Sequence, residues 1–143
     1  MFKPSGLLVR VALFVFCGTA LARPDKNSFL NHRASTVRQL LRQVKTDWQV
    51  RDRFERHFAM NQEQLFAYLG SLHRSNIQAT GDYTIYSIPP DGHVKAHKER
   101  IKRGAAIFAD AHGTPILLVK CGNPMTKGPN QPAATPPLPT MSA

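Results

Sequence analysis

The stretch GAAIFADAHGTPILLVKCGNP, Gly104 to Pro124, decides how the chain folds. Two apolar runs, AAIFAD (Ala105–Asp110) and PILLVKC (Pro115–Cys121), are joined by Ala111-His112-Gly113-Thr114, a length that suits a β-hairpin. In the second run Ile116 and Leu118 fall on one strand face, Leu117 and Val119 on the other. A strand that is apolar on both faces is covered on both sides. Cys121 has the parity of Leu117 and Val119, which points its sulfur inward. Gly122-Asn123-Pro124 is turn chemistry and is expected to close the fold.

Working back from the hairpin, DYTIYSI (Asp82–Ile88) alternates aromatic and β-branched residues, and PPDG (Pro89–Gly92) supplies a turn. HVKAHKERIKR then reads as a strand with Val94, Ala96 and Ile101 inward and its basic groups outward. The earlier part has the helical period. Ser35 or Thr36 caps a helix whose apolar face is Val37, Leu40, Leu41, Val44 and Trp48, with Arg38, Arg42 and Lys45 along its flank. A break is expected within Asp47–Asp52, before Phe54 and Phe58. Asn61 and Gln64 form a capping-box signature ahead of Leu65, Phe66, Leu69 and Leu72, and the helical half is expected to end by Gly81. The fold class is therefore α+β: two or three N-terminal amphipathic helices packed on a small antiparallel β-sheet of three to five strands.

The two ends are different in kind. Met1–Ala22 carries Lys3 and Arg10, an apolar run Val11–Cys17, and an Ala20-Leu21-Ala22 site. That order is a secretory signal peptide cleaved after Ala22, and the apolar run is shorter than the roughly 20 residues of a membrane span. Cleavage removes two of the 19 Lys+Arg and none of the nine Asp+Glu, leaving a mature chain of charge +8 with Cys121 as its one cysteine. Asn123–Ala143 holds six of the eleven prolines and no aromatic residue, the composition of a disordered tail with polyproline character. It contains a P-x-x-P pattern at Pro129–Pro132 and PPLP at Pro136–Pro139, ligand patterns for aromatic-lined readers that otherwise serve as a spacer. A single domain at 23–122 is expected, in a protein exported to the periplasm or beyond.

Four chemistries compete for this domain. A thiol-dependent enzyme would use Cys121 with His93, His97 or His112, since a thiolate needs a nearby imidazole or positive charge. The inward parity and the absence of a peptidase signature weigh against it. A buried thiol and a disulfide-linked dimer through Cys121 are the alternatives. No metal or other cofactor is expected: His93 and His97 share a strand face about 13 Å apart, too far for one ion. Sequence-specific DNA recognition is disfavoured, because Asn61–Leu72 contains no Arg or Lys to reach base edges. The strongest signal is KAHKERIKR, in which Lys95, Lys98, Arg100, Lys102 and Arg103 join His97 against one acid. With the flank Arg38, Arg42 and Lys45, it would attract an anionic envelope polymer, lipid headgroups or an acidic protein. The same charges would also guard an exposed strand edge against aggregation.

Gly104-Ala-Ala-Ile-Phe-Ala-Asp, Gly113-Thr-Pro-Ile-Leu and Cys121-Gly-Asn-Pro together resemble the end of an uncharacterised domain in signal-peptide-bearing bacterial proteins. The similarity runs over about Arg51–Met125, including Arg56–Leu69 and the Tyr83/Tyr86 strand. It implies the compartment and the folded boundary, and carries no activity and no catalytic residues.

Overall fold

The structure, a computed structural model, describes residues 25–129. The expected signal peptide and the Pro-rich end from residue 130 lie outside the described residues. Helix α1 spans Val37–Thr46, α2 Trp48–Phe58 and α3 Gln62–Gly70. Thr36 caps α1 by accepting the Gln39 N–H at 3.1 Å. The break falls at Asp47, whose extended backbone ends α1 and whose carboxylate accepts the N–H groups of Gln49 and Val50 to open α2. Burial opposes its charge, but these bonds, the Asn31 amide and Arg53 hold the carboxyl below its ordinary pKa.

This break overturns one expectation. Trp48 was placed on the apolar face of α1, yet it starts α2 and is 65% exposed. The extended residue interrupts the 3.6-residue phase, so Val50, Phe54 and Phe58 become the buried stripe. At α3 the expected capping box forms, with Asn61 and Gln64 exchanging hydrogen bonds of 2.8 and 3.0 Å.

Five strands follow: β1 His73–Asn76, β2 Gly81–Ser87, β3 Lys95–Ile101, β4 Ala106–Ala109 and β5 Pro115–Leu118. They form two antiparallel sheets, β1-β4-β5 and the ribbon β2-β3, so the fold is α+β with its helices ahead of its strands. The helical half ends earlier than Gly81, and β1, missed in the sequence, has the polar composition HRSN because it is an edge strand.

The side chains of β4 and β5 sort the core into two parts, although Ile116, expected on the face of Leu118, packs with Leu117 and Val119 next to the register shift at Phe108/Ala109. Phe108 and Leu117 pack with Phe29, Leu40, Phe54 and Leu69 on the helical side. Ile107 and Leu118 pack with Ile85, Ile101 and Cys121 under the ribbon. The three-stranded sheet is thus covered on both sides, each buried Leu, Ile or Phe contributing about 2 kcal/mol of transfer free energy. On β3 only Ile101 points inward; Val94 and Ala96 are exposed because they have the opposite parity. Cys121 is buried, but by a different route from the expected one. The strand ends at Leu118, and the turn after it delivers the sulfur to Leu118's side rather than to that of Leu117 and Val119.

That turn ties the molecule together. Gly122 has φ +72, and a Cβ there would collide with the Leu30 side chain. Cys121 O accepts the Leu30 N–H at 3.2 Å, and Asn123 Oδ1 accepts that of Phe29 at 2.9 Å. Pro124 O takes the Tyr86 N–H at 2.9 Å, which ties on the ribbon. The fold therefore does not stop at Gly122. Asn123 is buried, the Met125 N–H donates to Ile116 O at 2.8 Å, and Gly128 lies buried against Phe58.

His57 fastens this last segment. Its Nε2 lies 2.7 Å from Thr126 O, and its ring sits against Phe29, Phe58 and Tyr86. Burial lowers its pKa below the ordinary 6.5; the Thr126 carbonyl opposes that shift and Lys127 adds to it. The unfolded chain then binds the extra proton first, so this contribution is complete above pH 6.5 and is lost as pH falls through the folded value. Urea midpoints should fall between about pH 7 and pH 5, and His57→Gln should be less stable at neutral pH with a shallower acid slope.

Candidate functional site

The ribbon and the three-stranded sheet meet at a seam. Ile77 N–H donates to Ala105 O at 2.9 Å and Gly104 N–H to Ile77 O at 2.8 Å, which draws the end of β3 against the start of β4. A cleft of about 490 Å³ opens there over Ile101, Leu118 and Val119. Its walls carry Arg33 from the N-terminal segment, Arg74 from β1, Arg100 and Lys102 at the end of β3, and Lys120 after β5. Glu99 is the one carboxylate among them.

The partners of these cations decide what the cleft can do. Glu99 Oε1 accepts a hydrogen bond from Lys120 Nζ at 3.0 Å, and Asp25 lies 3.8 Å from the same nitrogen. Burial opposes the Lys120 charge, but Glu99 and Asp25 outweigh it and raise its pKa. Glu99 is thus spent on Lys120, with His97 Nε2 at 3.5 Å from its other oxygen. Arg74 is oriented by a 2.8 Å bond to the carbonyl of Ser35, which leaves its charge uncompensated. Among the described residues, no carboxylate lies within 4 Å of Arg33, Arg74 or Lys102. The cleft thus carries positive charge from three elements above an apolar floor, and guanidinium forks of this kind suit carboxylate or phosphate oxygens.

The sequence-predicted cations divide. Arg100 and Lys102 line the cleft. Lys95 instead faces Asp91 at 3.5 Å, Lys98 bonds Thr84 Oγ1 at 2.9 Å across the ribbon, and Arg103 follows β3 outside the cleft lining. Arg100 also lies 3.5 Å from Asp82, its cross-strand partner. Arg38, Arg42 and Lys45 are exposed on α1 and line neither this cleft nor its larger neighbour; Lys45 sits over the Phe66 ring at 5.4 Å. Arg33 and Arg74 were missed, because each is an isolated basic residue that only the register of β1 and the N-terminal segment brings to the seam.

Cys121 departs furthest from catalytic geometry. It is 2% exposed, and burial, only partly offset by the Asn123 N–H and Lys120, pushes its thiol up to about 11. Its sulfur accepts the Asn123 N–H at 3.4 Å and shares no hydrogen bond with a histidine. His93 and His112 are exposed, their backbone N–H groups closing turns on Asp91 and Asp110. None of His93, His97 and His112 hydrogen-bonds the Cys121 sulfur, which stays enclosed in the core. Among the described residues no three His, Cys, Asp or Glu side chains gather as a metal site, and no helix is long and apolar enough to cross a membrane.

The model of a domain of unknown function, DUF6777, matches residues 28–137. The chain belongs to this family. DUF6777 begins at Ser28, beside the Phe29–Leu30 pair that the Cys121–Pro124 corner holds, and it runs past the last described residue. No curated protein and no solved structure matches the chain.

Thiol accessibility tests this placement. Cys121 in the native chain should resist iodoacetamide at pH 8 and react fully in denaturant, whereas rapid native alkylation would require an open, activated sulfur.

Proposed function

We propose that this domain is a non-enzymatic binding module for an anionic polymer, acting outside the cytoplasm. The observation that carries the reading is the seam cleft, where Arg33, Arg74 and Lys102 line the walls with no carboxylate within 4 Å of them among the described residues. Supporting it are the charge of +8 left after removal of residues 1–22 and the signal-peptide pattern of those residues. A concave, cation-lined cleft suits a strand of repeating carboxylates or phosphates better than a membrane, which calls for a convex basic face with apolar residues to insert. The remaining β3 cations, Lys95, Lys98 and Arg103, and the α1 flank Arg38, Arg42 and Lys45, extend the attracting field at a range limited to about 8 Å by physiological salt.

Inorganic polyphosphate is a suitable probe for the mature chain, by anisotropy of an end-labelled polymer. The double variant Arg33→Glu/Lys102→Glu should bind at least about tenfold more weakly, since each charge-assisted bond is worth 1.5–3 kcal/mol. Arg38→Glu/Arg42→Glu should cost far less at physiological salt. Equal losses from the two pairs, or preference for phosphatidylglycerol vesicles over the polymer, would overturn the reading.

A further inference from the structure

A larger cleft lies elsewhere, lined by Trp48 and Val94, the exposed large apolar side chains among the described residues. It measures about 750 Å³, between the N-terminal half of α2 and the turn after β2. Trp48 forms one wall and Ile88, Pro89, Pro90 and Val94 the other, with Gln49 along the α2 edge beside Arg56, whose Nε and one terminal nitrogen are held by Asp52 and whose other terminal nitrogen is left to donate. Nothing in the core accounts for an indole at 65% exposure on this rim. An aromatic wall with side-chain N–H donors beside it is the chemistry that receives polyproline: pyrrolidine rings stack on the indole, and the helix's unbonded carbonyls accept the donors.

The chain itself carries such a ligand. Gln131–Pro139 reads QPAATPPLP, in which four of nine residues are proline. We propose that the Trp48 groove holds this Pro-rich segment of the same chain, with Pro136–Pro139 over the indole. Two observations favour this occupant. The family match continues to residue 137, eight residues beyond the last described one, so it takes in Pro132, Pro136 and Pro137. The exit point is also within reach. Gly128 lies against Phe58 at the C-terminal end of α2, and Trp48 opens the same eleven-residue helix, a rise of about 15 Å. The seven steps from Pro129 to Pro136 would span about 20 Å as polyproline II, enough to bring the PPLP segment to the indole.

Trp48 is the one tryptophan of the 143 residues, so its fluorescence reports the groove alone. The comparison is between the full mature chain and the same chain with Pro136, Pro137 and Pro139 each changed to serine. Far-ultraviolet circular dichroism should match, since these residues lie outside the described core. The variant should show a red-shifted emission and an acrylamide quenching constant raised about twofold, as the indole loses its cover. Identical emission and quenching in the two chains would overturn the proposal. Protection in the unaltered chain should persist on dilution over about a hundredfold range, as expected for an intramolecular contact. Protection that disappears on dilution would overturn same-chain docking in favour of a second copy.

Discussion

The corner Cys121–Pro124 is the constraint on which the other parts depend. It receives backbone N–H groups from the N-terminal segment at Phe29 and Leu30, from β5 at Leu118 and from β2 at Tyr86, so one turn joins elements far apart in sequence. Glycine is required at its centre, because φ is +72 and Leu30 fills the space a Cβ would take. Asn123 is required for a different reason. Its buried amide oxygen satisfies the Phe29 N–H, and an unpaired buried N–H costs about 1–3 kcal/mol. Gln43 plays the corresponding part on the helical side, where its amide accepts from Asn31 and His32 and donates to the His32 carbonyl.

Both clefts follow from this tethering. Holding Phe29 and Leu30 against the corner carries the N-terminal segment across the sheet edge, which sets Arg33 beside Arg74 and leaves Asn31 and His32 along the Trp48 groove. Holding Tyr86 fixes the ribbon against the sheet and brings Arg100 and Lys102 to the seam. Neither site is made by one element. Each is a gap between elements whose relative positions the corner specifies.

Local signals in the sequence were legible wherever a single segment contained them. The Asn61/Gln64 capping box, the Asp82–Ile88 strand and the hairpin around Gly113 all depend on neighbours within a few residues, and all form. Readings that extended a pattern through a break failed: Trp48 lost the phase of α1 at Asp47, and Cys121 lost the parity of β5 at Leu118. The edge strand His73–Asn76 has no apolar alternation to detect, since both its faces are largely solvated. The basic segment announced a charged surface, but not which cations find partners, because Asp82 and Thr84 meet Arg100 and Lys98 only through ribbon pairing, and Asp91 meets Lys95 only through the turn that precedes β3. Arg33 and Arg74 carried no signal at all, being brought together by tertiary structure alone.

The account's central claim is that anionic ligands enter the seam between ribbon and sheet rather than spreading over the basic surface. Backbone amide chemical shifts of the mature chain, followed during titration with inorganic polyphosphate, test it most directly. The account predicts the largest shifts at Arg33, Arg74, Lys102, Ala105 and Lys120, saturating together, with α1 amides near Arg38 and Arg42 barely moved. Shifts centred on α1, or distributed evenly over every exposed cation, would contradict it.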